Sequence, residues 1–247
     1  MGFFIFVVSA NSRMELSAAQ RERYERNLLV EGFTDRMQQA LIAARVAVVG
    51  AGGLGSAALN YLVAAGVGHL TLIENDTVSL SNLQRQVLYT TADMGRPKAE
   101  VAAMRLSRLN PGCDIRVVTD RLTAANAAGL LGGHDAVVDC TDNYDARYVI
   151  DDFCREAEVL AIYGIPLEAV GGRWPFSMPG GAGGYRDLYP GRASQKPVVG
   201  VLSPIVGVIG SLQALETVKL LCGVGESLAG NLLVVDGRTM QVSKLEL

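Results

Sequence analysis

The stretch "VAVVGAGGLGSAALNYL", Val46 to Leu62, decides the fold. An apolar run gives way to a glycine turn and then to a run of small and apolar residues, the pattern of a buried strand, a tight turn and a helix. Gly50, Gly52 and Gly55 fit G-x-G-x-x-G, the phosphate-cradling fingerprint of dinucleotide folds. Gly50 permits the turn, Gly52 lets a phosphate approach the backbone, and Gly55 allows close packing of helix on strand. Gly53 adds a fourth small position. The helix that begins here points its free N–H groups and its dipole at an anion. Glu74 lies 24 residues past Gly50, where a carboxylate would take ribose hydroxyls. These residues alone leave the ligand open between NAD and another nucleotide.

The rest of the chain alternates in the same way. "RVAVVG", "HLTLIEND", "DIRVVTDRL", "DAVVDCTDN" and "VLAIYGIP" read as strands. "SAALNYLVAAG", "RPKAEVAAMRLSRLNP", "NAAGLLGGH" and "ARYVIDDFCREAE" read as the helices between them, the second of these stopped by Asn110 and Pro111. Residues 17–44 read as helices with charged faces. The alternation predicts an α/β, Rossmann-like, doubly wound and mainly parallel sheet. After Glu168 the pattern changes. Residues 171–197 are rich in Gly and Pro and read as a long connection without clear structure of its own, which is usually functional. "SPIVGVIGSLQALETVKLLCG" follows as a helix with Ile205, Val208, Ile209, Leu212, Leu215 and Val218 at helical spacing. "NLLVVDGRTMQVSKLEL" closes the chain as a hairpin, an antiparallel addition to the fold. With no internal repeat and no linker, residues 14–247 are expected to form one domain, with residues 14–168 as its nucleotide-binding part. Met14 reads as close to the functional start, and residues 1–13 as a tail or a start-site artefact.

Composition narrows the class. The chain has 247 residues, 49% of them hydrophobic, and a net charge of −3. That excludes a disordered chain, and there is no basic stripe for nucleic acid. Cys113, Cys140, Cys154 and Cys222 are scattered, without zinc or redox spacing, as expected of a reduced, cytoplasmic protein. The apolar run after Met1 is too short to span a bilayer and lacks a positive leader. Val198–Cys222 is interrupted by Ser203, Pro204, Gln213, Glu216 and Lys219, so no membrane partner is expected.

The loop "ENDTVSLSNLQRQ" carries more chemistry than an NAD site needs. It is dense in acids and donors: Glu74, Asp76, Ser81, Asn82, Arg85 and Gln86. The guanidinium fork of Arg85 suits phosphate oxygens. "MGRPKAE" puts Lys98 in the first turn of a helix, unfavourable for the helix dipole unless an anion lies nearby. "DCTDN" puts Asp139 and Asp142 at the C-terminal end of a strand, the edge where ligands bind in open α/β sheets. A carboxylate there, beside phosphates, can hold Mg²⁺. Asp139 lies within the strand and reads as structural.

With these residues in order, the sequence resembles the ThiF/MoeB/HesA family, bacterial relatives of ubiquitin-activating enzymes. The resemblance is carried by "RYERNLLVEGF", the glycine stretch and its continuation through "SNLQRQVLY", "MGRPKAE", "LNP", "DCTDNYDARY" and "GVLSPIVGVIGSLQALETVKLL", from about Glu15 onward. It implies an enzyme that binds MgATP and adenylates the C-terminal glycine carboxylate of a small ubiquitin-like sulfur carrier ending in Gly-Gly, in thiamine or molybdopterin synthesis, with release of pyrophosphate. The implied pocket comprises Gly50, Gly52, Gly53, Gly55, Glu74, Asp76, Ser81, Asn82, Leu83, Gln84, Arg85, Gln86, Lys98, Asp142 and Asn143. Within it, Glu74 takes the ribose, Asn82, Arg85 and Lys98 hold the triphosphate, and Asp142 holds Mg²⁺. Arg26 is implied to reach ATP from the other subunit of a homodimer, with residues 169–247 making partner and dimer contacts.

Three positions depart from the family. Many relatives hold zinc with two C-x-x-C pairs. Here Gly184 and Asp187 stand at the first pair and the C-terminal segment has no cysteine, so no zinc is expected. Some relatives use a cysteine four residues before the glycine of "GVLSP", a position taken here by Lys196. Adenylation needs no such thiol, but a covalent second step would. Glu74 stands where the family commonly has aspartate. Adenylation of another acyl or peptide substrate, a non-catalytic ATP-binding member and an NAD-dependent oxidoreductase are the alternatives. The last leaves "SNLQRQ" and Lys98 unexplained.

Overall fold

The computed structural model describes residues 15–164, 172–175, 184–191 and 200–246. Three short helices come first: α1 (Ala18–Arg23), α2 (Glu25–Leu28) and α3 (Asp35–Ala43). Ser17 caps α1 by accepting from the N–H of Gln20. The alternating part then runs β1 (Arg45–Val49), α4 (Gly53–Ala65), β2 (His69–Ile73), α5 (Lys98–Leu109), β3 (Asp114–Val118), α6 (Ala127–Leu131), β4 (Ala136–Asp139), α7 (Tyr144–Ala157) and β5 (Leu160–Tyr163). Short 3₁₀ turns at Leu80–Asn82 and Thr91–Asp93 interrupt the connection from β2 to α5. The last described elements are β6 (Gly172–Pro175), α8 (Tyr185–Leu188), α9 (Ser203–Cys222), β7 (Asn231–Asp236) and β8 (Gln241–Glu246).

The first five strands form one parallel sheet in the order β3-β2-β1-β4-β5. This is the doubly wound arrangement expected from the alternation. Val46 to Val49 and all of β4 are buried, as strands covered on both faces must be. The strand order reverses between β1 and β4, where Val49 pairs with Asp139, so the crevice beyond the carboxyl ends of these two strands is the place for a ligand. Asn110 ends α5 as expected. Its Nδ2 donates to the Val63 carbonyl (2.8 Å) and to the Tyr24 hydroxyl (3.0 Å), joining α5, α4 and the N-terminal helices.

After Glu168 the structure adds detail to the expectations. The Gly- and Pro-rich connection has structure of its own: β6 pairs antiparallel with β7, and α8 is a helical turn. The closing hairpin is therefore two strands of a three-stranded antiparallel sheet, β6-β7-β8. In α9 the expected apolar set only partly forms the packed face: Ile209 is buried and Ile205, Leu212 and Val218 pack half-buried against the core. Val206, Ile209, Gly210, Gln213, Ala214, Glu216 and Thr217 face inward, while Val208 and Leu215 are exposed. The polar members are satisfied inside, Gln213 donating to the Asp139 carbonyl at 2.7 Å and Glu216 accepting from the Leu228 N–H at 2.6 Å. Finally, α9, with 20 residues and an 18-residue stretch of mean hydropathy 1.5, is long and apolar enough to cross a membrane despite its interruptions. In this fold it is a packing helix laid along α4. A Cβ on Gly210 would lie 2.2 Å from the Leu54 carbonyl, so the two helices touch backbone to side chain position.

Candidate nucleotide site

The glycine loop joins β1 to α4 at the switch point. Gly50 has φ +98°, and a Cβ there would meet the Cys140 carbonyl oxygen at 2.7 Å. A Cβ on Gly55 would lie 2.2 Å from the carbonyl oxygen of Gly50, so the first turn of α4 closes directly onto the loop. Gly52 is the N-cap of α4 and Gly53 its first residue, which leaves the helix N-terminus facing the crevice. Ala51, inside the loop, is held at both peptide groups. Its N–H donates to Glu74 Oε2 (2.9 Å), and its carbonyl accepts from the Tyr89 hydroxyl (2.9 Å). Burial, then the charge of Glu74, pushes the Tyr89 phenol far above its ordinary range, so it remains a donor.

The sequence-predicted residues lie on four segments around this loop: the end of β2, the 3₁₀ turn, the start of α5 and the turn after β4. From the end of β2, Glu74 Oε1 also accepts the Asp76 N–H at 2.8 Å. From the 3₁₀ turn, Asn82 accepts through its carbonyl from the N–H groups of Arg85 and Gln86, both at 3.0 Å. Ser81 accepts from Arg85 Nη1 (3.2 Å) and approaches Ser79 Oγ through its own hydroxyl (3.4 Å). Leu83 packs against the core, and Gln84 Nε2 donates to Val201 O, just before α9. The Arg85 stem and Val206 of α9 flank Gly53, and Gln86 Nε2 lies beside Gly52. The Gln86 side-chain oxygen is buried without a partner among the described residues, an acceptor left open against the glycine loop.

Lys98 opens α5. It is only 3% exposed, and its ammonium is held 3.1 Å from Asp76 Oδ2. Asp142 is exposed three residues past β4, and Asn143 caps α7 by accepting from the Ala146 N–H at 2.9 Å. Arg26 lies away from the glycine loop. Its side chain is 88% exposed on α2, and the neighbouring Asn27 donates to the Ala65 carbonyl at the far end of α4. Because α4 has 13 residues, that end is ~20 Å from the glycine loop.

Sequence reasoning missed Tyr89 and Arg147. Arg147 is fully buried, with Nε 3.2 Å from Asp139 Oδ2, also fully buried, so Asp139 is structural as read. Burial works against the charge on Arg147, but Asp139, Tyr185 and Asp142 together outweigh it and hold the guanidinium above its ordinary range. The run "DCTDNYDARY" contains both residues, yet neither charge spacing nor periodicity signals that an arginine eight residues after an aspartate will pair with it in the core.

Comparison with known proteins follows the same lines. The ThiF family model matches residues 24–247. The molybdopterin-synthase adenylyltransferase of Escherichia coli is 42% identical over 236 residues, covering 94% of this chain and 95% of that one. The sulfur carrier protein ThiS adenylyltransferase of Escherichia coli is 40% identical over 230 residues, covering 91% and 90%. Among solved structures, Escherichia coli MccB with MccA superposes with a TM-score of 0.83 at 21% identity, over 94% of this chain and 72% of that one, a likeness of fold. The ThiF family model over residues 24–247 and relatives about 40% identical over nearly the whole chain make this protein a member of the ThiF family.

Proposed function

We propose that the protein uses ATP to adenylate the C-terminal glycine carboxylate of a small ubiquitin-like sulfur carrier, releasing pyrophosphate. The observation that supports this is the edge at the β1–β4 switch point, where the glycine loop is held by Glu74 and Tyr89 and flanked by the Arg85 stem, Lys98 is tied to Asp76 on the β2 side, and Asp142 is exposed just past β4. A hydride carrier needs none of Arg85, Lys98 and Asp142; a departing pyrophosphate needs all of them. The adenylyltransferase relatives, which act on sulfur carriers, support the same substrate class.

The carboxylate attacks the α-phosphorus and the P–O bond to pyrophosphate breaks. A carboxylate is a weak nucleophile toward an anionic phosphate, so neutralisation and in-line placement supply most of the acceleration. The loop N–H groups and the N-terminus of α4 receive phosphate oxygens, with Gly53 at the phosphates. Glu74 keeps lone pairs free for ribose hydroxyls beside its two backbone bonds, and Asn82 lies within the same turn as Arg85. Lys98 has three ammonium donors, of which Asp76 occupies one, so it can take a triphosphate oxygen without breaking that pair. Asp142 is the ligand for Mg²⁺. The chemistry fits: Mg²⁺ binds through one or two carboxylates plus phosphate oxygens, and no group of three or more His, Cys, Asp or Glu able to hold a metal by itself occurs among the described residues. When bound, the ion would neutralise charge on the departing pyrophosphate.

Two subunits share each site in this reading. Within one chain Arg26 is at the wrong end of α4, so it serves the partner's nucleotide. The exposed apolar side chains Val208 and Leu215 of α9, and Tyr61 of α4, offer the homodimer a contact surface. The four cysteines are free, in keeping with a reduced, cytoplasmic setting. The test is ATP–pyrophosphate exchange that depends on a carrier ending in Gly-Gly. Asp142→Asn is expected to lower it by about 100-fold, the size of losing one transition-state charge stabiliser. Exchange that proceeds equally without any carrier, or is indifferent to Asp142→Asn, would overturn the reading.

A further inference from the structure

The turn that presents Asp142 is held from beneath. Thr141, immediately before it, donates its N–H and its hydroxyl to Asp139 Oδ1, at 2.9 and 2.7 Å. Its carbonyl accepts from Arg147 Nη2 at 2.6 Å, and the same Nη2 reaches the Gly164 carbonyl at 3.2 Å. The other end of the guanidinium meets α8: Nη1 donates to the Tyr185 hydroxyl at 3.5 Å, and the ring of Tyr185 lies 5.6 Å from the guanidinium carbon. Tyr185 is itself fully buried.

The backbone of α8 is anchored to α7 chiefly by one carboxylate, with side-chain ion pairs around it. Asp151, on α7, accepts the Tyr185 N–H (2.8 Å) and the Tyr163 hydroxyl (2.9 Å) at Oδ1, and the Arg186 N–H (3.1 Å) at Oδ2. A Cβ on Gly184 would lie 2.5 and 2.7 Å from the two Asp151 oxygens, so only glycine lets the carboxylate reach the turn. Outside this clamp Arg186 pairs with Asp152 at 2.5 Å and Arg155 with Asp187 at 2.9 Å, while Asp187 accepts the Gly184 N–H at 2.7 Å. Gly184 and Asp187 are the two positions at which the family resemblance implies zinc-binding cysteines. The residues present do not fit a zinc site, and Asp151 occupies the space a side chain at position 184 would need.

We propose that Arg147 is a positioning residue for Asp142, and that the Asp151 clamp on α8, standing in place of a metal, sets Arg147 through Tyr185. A guanidinium presents its donors in one fixed plane, so a shift of the Tyr185 hydroxyl tilts that plane and moves the Thr141 carbonyl with it. The crossover segment thereby tunes how the nucleotide's metal ion is held. This rests on the assignment of Mg²⁺ to Asp142.

The experiment uses the full chain and two shape-preserving variants, Tyr185→Phe and Asp151→Asn. Exchange is titrated with Mg²⁺ at saturating ATP, and binding of a non-hydrolysable ATP analogue is measured with and without Mg²⁺. The Mg²⁺ concentration for half-maximal exchange is expected to rise about ten-fold in Asp151→Asn, the lower end of what loss of a partner behind a metal ligand costs, and by less in Tyr185→Phe. kcat at saturating Mg²⁺ and analogue binding without Mg²⁺ should stay at the wild-type level. Chelator should leave the wild-type Tm unmoved. Unchanged Mg²⁺ dependence in both variants, or a loss of kcat that Mg²⁺ does not restore, would overturn the positioning role. A Tm lowered by chelator would overturn the metal-free clamp. If Asp151→Asn does not fold, Tyr185→Phe, which removes one oxygen, still decides. If wild type supports no exchange, the proposed reaction fails, and Mg²⁺-dependent analogue binding still decides the positioning claim.

Discussion

Ala51 shows how single residues prepare the loop. Its N–H is held by Glu74 and its carbonyl by Tyr89, so the loop has its bent shape before any ligand arrives and little ordering cost remains for binding. Glu74 was legible from its spacing after Gly50. Tyr89 was not, because a hydroxyl bond from residue 89 back to residue 51 leaves no local trace. The thiols have a residue-scale consequence of their own. Burial pushes Cys113 up to about 11 and Cys154 and Cys222 up to about 12, and Cys140 rises well above its ordinary range, so all four are protonated at neutral pH. Treating the folded protein with an alkylating reagent should leave carrier-dependent exchange intact, and no carrier should be recovered as a thioester on these cysteines. Inactivation that tracks alkylation of any one of them would contradict this. Lys196, the position matched to the relatives' thiol, lies outside the described residues.

At the scale of elements, the α4–α9 contact is where packing and chemistry meet. α4 carries the glycine loop, and Gly210 lets α9 lie against the Leu54 carbonyl in its first turn. Gly210→Ala forces a methyl into that gap, with an expected cost of about 1–3 kcal/mol in unfolding free energy, typical of overpacking, together with weaker ATP affinity as α4 is pushed away. Denaturant unfolding and ATP calorimetry check the two parts; unchanged values would show that the helices have room to separate. The alternation of strands and helices was plain in the sequence because continuous apolar strand runs and intervening helical segments, set off by Gly, Asn and Pro, are local signals. The inward face of α9 was not. Gln213, Glu216 and Thr217 are buried because their partners, the Asp139 and Gln213 carbonyls and the Leu228 N–H, lie in the core or in the turn before β7, and hydropathy cannot see a bond to come. β6 was hidden for a similar reason. A strand among glycines and prolines is specified by its pairing with β7, not by its own composition.

At the scale of the whole molecule, the proposed reading has Arg26, which is exposed on α2 away from the glycine loop of its own chain, serve the nucleotide of a second copy. Arg26→Ala and Asp142→Asn should each be inactive alone. Mixed and reassorted, they should recover about a quarter of wild-type exchange, because half of the dimers are hybrids and each hybrid has one intact site. Two inactive variants that remain inactive when mixed would place Arg26 outside the site. The motifs "SNLQRQ" and "DCTDN" made the edge chemistry legible before the fold was in hand, whereas the clamp from Asp151 to Arg147 emerges only when α7 and α8 are brought together. The central claim is that this edge joins AMP to a carrier's terminal carboxylate, and mass spectrometry tests it most directly. The enzyme is incubated with MgATP and a purified carrier ending in Gly-Gly, beside the same carrier lacking those two glycines. The intact carrier should gain the mass of one AMP while pyrophosphate is released, and the truncated carrier should gain nothing. AMP found on both carriers, or on neither, would contradict the account.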